Sequence, residues 1–206
     1  HGFQLNTHAI GDSANRLILE SYGQLLKGTN DKRWRVEHAQ IVHPEDLELF
    51  KKYTIIPSVQ PTHATSDMPW VGNRLGPERV KNAYAYKELL AQNGLLALGT
   101  DFPVEKISPL ATFRSATARI GDKKSKGFQT ENAISREQAL RGMTIWAAIA
   151  NFQDSLIGSL EKDKCADFVL MKKDLMTCDV SKLSKEDIIA TFIQGENKLD
   201  ALPSSL

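Results

Sequence analysis

Three residues in this sequence carry groups able to hold a divalent cation and to move protons: His8, His38 and Asp101. Each stands where a short strand-like run stops. Asp101 is the plainest case, in Leu95–Glu105, LLALGTDFPVE, where an apolar run opened by Gly94 ends at Thr100 and Asp101 before Pro103. Such a run reads as a buried strand of a parallel sheet. Asp suits strands poorly, so a carboxylate at the strand's last position is there for its charge. Alone, Asp101 could cap the next turn, and either histidine could be a core or loop residue bonded to backbone. Together, two imidazoles and a carboxylate suit Zn²⁺ or a similar divalent ion. Such an ion lowers the pKa of bound water to about 7. A neighbouring Asp can take the water's proton and later hand it to a leaving amine.

His63 lies in PTHATSD, Pro61–Asp67, within a stretch from Thr62 to Pro77 that reads as a long loop and a candidate substrate lid. There it can orient a substrate carbonyl, or be an exposed loop histidine with no role. His43, next to Pro44, reads as structural, and Trp34, Trp70 and Trp146 read as packing groups.

The elements that must position these groups alternate. Phe3–Thr7 is a strand leading to His8, followed by a helix capped at Asp12 or Ser13 and running to Gly28. Trp34–Gln40 is a second strand, and Pro44, Glu45 and Asp46 open the next helix. Ile55–Pro61 is a third strand. A helix over about Val80–Gln92 leads into the fourth, and Ser108-Pro109 caps a helix that Gly121 stops. The order β-α-β-α-β-α-β-α is half of an eight-fold barrel, whose functional groups sit at the C-terminal strand ends. A polar, Lys-rich loop follows from Asp122 to Ala133. A helix then starts at Ser135, which has capping-box spacing to Gln138, and continues through Ala150. Cys165–Met171 and Ile188–Gln194 are two strands of a small β unit.

The bulk numbers restrict the function classes. The chain has 206 residues, 41% hydrophobic and 25% charged, with 26 basic and 25 acidic side chains and a net charge of +1. That balance makes no case for nucleic acid or an anionic membrane as partner. No apolar run approaches the ~20 residues of a membrane span. Cys165 and Cys178 lack metal-ligand spacing and read as reduced thiols, favouring a cytoplasmic setting. The chain opens in mid-pattern, so a segment upstream of it is expected and could carry a signal.

Five motifs in order carry a family resemblance: THAIGDSANR at 7–16, RWRVEHAQIVHPED at 33–46, PSVQPTHATSDMPW at 57–70, LGTDFPVEKISPL at 98–110 and GSLEKDKCADFVLM at 158–171. The sequence resembles the metal-dependent amidohydrolase superfamily, in the branch that includes N-substituted formamide deformylases. The resemblance implies that residues 1–157 are the C-terminal half of a (β/α)8 TIM barrel, strands five to eight. It makes 158–206 the C-terminal part of a β-sandwich. By the same resemblance His8 and His38 are the metal-binding histidines of strands five and six. Asp101 is the strand-eight metal ligand and proton shuttle, and His63 lies near the substrate. The family's His-x-His pair and its bridging residue have no counterpart in these 206 residues. The reading is therefore a metal-dependent hydrolase of carbon–nitrogen bonds other than peptide bonds, acting on amide or formamide substrates. One or two divalent ions, zinc for preference, are expected in the complete enzyme, with a missing N-terminal half or a homo-oligomer partner completing the barrel. The alternative is an inactive barrel fragment that acts only in association with that other half.

Overall fold

The computed structural model describes residues 2–121 and 126–199. Its frame is a parallel sheet of four strands, β1 (Asn6–Ala9), β2 (Arg35–His38), β3 (Ile56–Val59) and β4 (Ala97–Leu98), in that spatial order. Ala9 pairs with His38, Glu37 with Ser58 and Val59 with Leu98, so all four strands end at nearly one level. Helical segments link each strand to the next. They are α1 (Asp12–Leu26), α2 (Leu47–Lys52), and a longer run of α3 (Pro61–Asp67), α4 (Val71–Arg79) and α5 (Tyr86–Asn93). After β4 come α6 (Pro109–Ala118), α7 (Arg136–Met143) and α8 (Ile145–Ala150). The core lies between sheet and helices, where Leu19, Val36, Phe50, Ile55, Val59, Leu89 and Leu96 are fully buried. Each such side chain contributes about 1.5–3 kcal/mol by leaving water.

Local signals explain some of the helix starts. Ser108 accepts a hydrogen bond from Ala111 N ahead of Pro109, and Ser135 with Gln138 forms a complete capping box before α7. At α1 the N-cap is Gly11, and Asp12 is already helical, its carboxylate accepting from Ser13 N. α7 crosses β4 closely, because a Cβ on Gly142 would come within 2.6 Å of Leu98 and 2.9 Å of the Leu96 carbonyl.

Three expected elements differ. The stretch from Thr62 to Pro77 is not a loop but α3 and most of α4, with Gly76 at φ 76° breaking the helix before Pro77. Pro61 sets the first helical turn immediately after β3, and α3 packs against α6, so a lid at this place is ruled out as an extended loop. The helix over Val80–Gln92 is interrupted. Tyr84 takes φ 54°, its N–H bonds the Gln40 carbonyl, and Ala83 bridges to Ile41, so tertiary pairing overrides the helical period. The last long helix splits at Thr144 into α7 and α8, both of which pack on β4. Of the Lys-rich loop, residues 122–125 lie outside the described ones, and Thr130–Asn132 form a 3-10 turn.

The second sheet is antiparallel: β5 (Phe168–Met171), β6 (Ile188–Ile193) and the unanticipated short β7 (Glu196–Asn197). Phe168 and Phe192 stack across it at 4.4 Å. Among the described residues no helix is long and apolar enough to cross a membrane.

One buried amide ties the first two strand ends together. Asn15 of α1 is wholly buried, and its Nδ2 lies 3.2 Å from the Ala9 carbonyl and 3.1 Å from that of Ile41. Leaving a buried polar group without its partner costs about 1–3 kcal/mol. Asn15→Ala strands two carbonyls and is expected to lower the unfolding free energy by roughly 3 kcal/mol, read from urea denaturation.

Candidate metal centre

The four polar residues come from four successive strand ends. His8 is the third residue of β1, His38 the last of β2, His63 lies in the first turn of α3 directly after β3, and Asp101 follows β4 by three residues. Two of these backbones, and that of Ala39, are not relaxed. His38 takes φ 77°, Ala39 φ 42° and Asp101 φ 56°, all in the left-handed region. His and Asp tolerate that region better than most side chains, whereas Ala39 has no such excuse. Each such residue costs of order 1–3 kcal/mol and persists only where its surroundings hold it. The effect is to turn the chain sharply out of the strand as the functional side chain is presented.

One ligating atom each from His38, His63 and Asp101 lies within 4.8 Å of the others. His63 Nε2 is 3.7 Å from Asp101 Oδ2, with the His63 side chain 11% exposed and that of Asp101 37%. His38 and His63 are stacked with centroids 5.7 Å apart. His8 lies outside that group of three, and its ring meets His38 edge-on at 4.4 Å. The fold thus brings together His38 and Asp101, as the strand-end pattern expects. It adds His63, buried rather than on an exposed loop, and it sets His8 against His38.

Burial pushes His63 below the ordinary imidazole range, against the nearby Asp67 carboxylate, which pulls upward, and His38 adds to the lowering. At pH 7 the ring is therefore neutral, the form in which an imidazole ligates. Its Nε2 is buried and has no hydrogen-bond partner. An orphaned ring nitrogen beside a carboxylate oxygen, with a second imidazole in reach, is a donor set that fits a divalent ion such as Zn²⁺.

The surroundings are polar but ordered. His38 Nδ1 lies 2.8 Å from Gln60 Oε1. The buried Tyr84 hydroxyl donates to Asp67 Oδ2 at 2.6 Å and accepts from Gln40 Nε2 at 2.9 Å, fixing the C-terminal end of α3. Gln60 and Tyr84 escape a reading based on ionisable residues, because neither titrates near neutral pH. The signal for Gln60 is its place: it is the polar residue just past the end of β3, as Asp101 is past β4.

A model of the amidohydrolase family matches residues 1–197. Protein LONG AFTER FAR-RED 3 of Arabidopsis thaliana is 40% identical over 198 residues, 95% of this chain and 34% of that protein. The N-substituted formamide deformylase of Arthrobacter pascens is 25% identical over 200 residues, 94% of this chain and 36% of that enzyme. Among solved structures, an uncharacterized metal-dependent hydrolase from Pyrococcus horikoshii OT3 superimposes with a TM-score of 0.77 at 29% identity, over 88% of this chain and 36% of that one. The chain spans about a third of the length of the curated relatives it matches. With the family model matched from His1 to Asn197, the chain belongs to the amidohydrolase family.

Proposed function

We propose that this chain supplies the metal-holding and proton-moving groups of a hydrolase for carbon–nitrogen bonds other than peptide bonds, with amides or N-substituted formamides as substrates. The observation that carries the reading is the meeting of His38, His63 and Asp101 around an orphaned, buried His63 nitrogen. Family membership supports the reaction class, and the deformylase relative supports the substrate class. His38, His63 and Asp101 are the residues that would hold the ion, zinc by donor type, with His8 beside them. When bound, such an ion supplies a Lewis acid for a carbonyl oxygen and lowers the pKa of water to about 7. Asp101, more than a third exposed and within 3.7 Å of His63, is placed to accept the proton of the attacking water and return it to the leaving amine. His63, with its Nε2 given to the ion, would have no lone pair left to compete for that proton.

The architecture proposed with this function is strands five to eight of a (β/α)8 barrel over 1–157 and part of a β-sandwich over 158–206. Among the described residues β1 and β4 each have one neighbour in the sheet, which leaves two open edges. In the second sheet Val169, Leu170, Ile189 and Ile193 stand about half exposed. A partner would cover both, either the other half of a longer chain or a second copy, and would bring the remaining ligands. The two thiols Cys165 and Cys178 are unpaired, in keeping with a cytoplasmic setting.

The two ligand sets, His8–His38–Asp101 and His38–His63–Asp101, part company on zinc affinity. Losing a group behind a ligand costs 10–100-fold, so losing a ligand should exceed about tenfold. His63→Ala is expected to cross that mark in chelator competition and His8→Ala to fall short of it; the reverse order would return His63 to a substrate-orienting role.

Asp101→Asn tests the proton path in the assembled enzyme. Asn matches Asp in size, so folding should be nearly unchanged and thermal stability should move little. General-base assistance is worth about 10²–10⁴-fold, and weakened ion binding adds to it. A kcat loss at or above the upper end of that range is expected, with Glu105→Gln milder. Retention of more than about a tenth of the activity with metal bound would refute a proton-moving role for Asp101.

A further inference from the structure

We propose that Gln60 is a positioning residue that sets the tautomer of His38, so that Nε2 and not Nδ1 is the ligating nitrogen. The proposal rests on the reading of the cluster as an ion site. A neutral imidazole has one N–H and one lone pair, and the partner of one nitrogen decides what the other can do. His38 Nδ1 lies 2.8 Å from Gln60 Oε1, and both residues are more than nine-tenths buried, so water does not compete for the bond.

The direction of that bond depends on which way round the Gln60 amide sits. Ser58 decides it. Gln60 Nε2 lies 3.5 Å from the Ser58 carbonyl, a long contact but one of the right sign. The reversed amide would place its oxygen there instead, two acceptors facing each other with no proton between them. With Nε2 turned to Ser58, Oε1 faces His38, and Nδ1 must be the donor. Nε2 is then the His38 nitrogen that keeps a lone pair.

Gln60 is itself held through its main-chain carbonyl. The fully buried Tyr86 hydroxyl donates to its backbone carbonyl at 3.0 Å, and the Arg119 guanidinium lies 4.9 Å over the Tyr86 ring. The same Gln60 carbonyl accepts from His63 N at 3.0 Å. One residue therefore fixes His38 through its side chain and the start of the His63 turn through its main chain. An Oε1 acceptor on a rigid strand end costs little entropy to keep in place, which is what a locked tautomer requires.

The test needs neither ion nor substrate. In metal-free protein labelled with ¹⁵N, at about pH 8 where imidazoles are neutral, long-range ¹H–¹⁵N spectra distinguish the two tautomers. His38 is expected to show a protonated Nδ1; a protonated Nε2 overturns the proposal. Gln60→Leu, which removes the acceptor, should mix the tautomers and weaken zinc binding about 10–100-fold in chelator competition. Unchanged zinc affinity in Gln60→Leu overturns the proposal, and if that variant does not fold, the parent spectrum decides alone. An assembled, zinc-loaded enzyme whose metal-free form has Nδ1 protonated but which cleaves no amide refutes the hydrolase reading while supporting the placement of His38.

Discussion

Everything at this site depends on four parallel strands ending on one level. A parallel ladder has a fixed register, and a slip of one residue would turn each side chain to the opposite face. Pairing Ala9 with His38 and Val59 with Leu98 brings residues from positions 8, 38, 63 and 101 to one rim. No local signal could do so, since the separations in sequence are far beyond a helix turn or hairpin. The connecting helices serve that register from outside. α1 supplies Asn15 to tie the first two strand ends, and α7 meets β4 where Gly142 allows backbone contact.

The rim is one of several places where the chain departs from its preferred conformations. His38, Ala39 and Asp101 sit at positive φ, and His63 buries a nitrogen with no partner. Each is a local conflict of the kind that folding alone would remove, and these fall together in one small region. A bound ion would relieve one of them by giving the His63 nitrogen something to bind.

The strand pattern, the strand ends and the capping signals are legible in the residues. Apolar runs stopped by His, Gln or Asp mark three of the four strands, and Ser108 and Ser135 cap helices where their spacing says they should. The stretch after β3 is illegible because its helices are short and nearly half-polar, with Gly76 and Pro77 inside them. What makes α3 a helix is burial against α6 rather than periodicity, while α4 stays mostly exposed. The break at Tyr84 is illegible for the opposite reason. Its neighbourhood has a good helical period, overridden by a hydrogen bond to Gln40, forty-four residues earlier. His63 is the instructive case at the site. Its residue type is visible, but whether it is exposed or buried beside Asp101 depends on whether Thr62–Pro77 is loop or helix.

The two ends of the sheet divide the work. At the N-terminal end Gln4 and Arg35 both donate to the Ala150 carbonyl, and Arg33 donates to the Ile149 carbonyl and to Asp154. These bonds satisfy the last carbonyls of α8, which the helix itself leaves unpaired, and place cationic groups at the negative end of its dipole. Arg33 in turn holds the Asp154 carboxyl below the usual carboxylate range. There the polar groups named here are partnered and the hydrogen bonds run between distant segments, so that end closes the fold. At the C-terminal end His63 keeps a ring nitrogen unbonded and Asp101 keeps an exposed carboxylate. Groups that must bind an ion or pass a proton cannot also be spent on structure. The strained rim is tolerable because the bonds at the opposite end, with Asn15 and the core between them, hold the strands in register without its help.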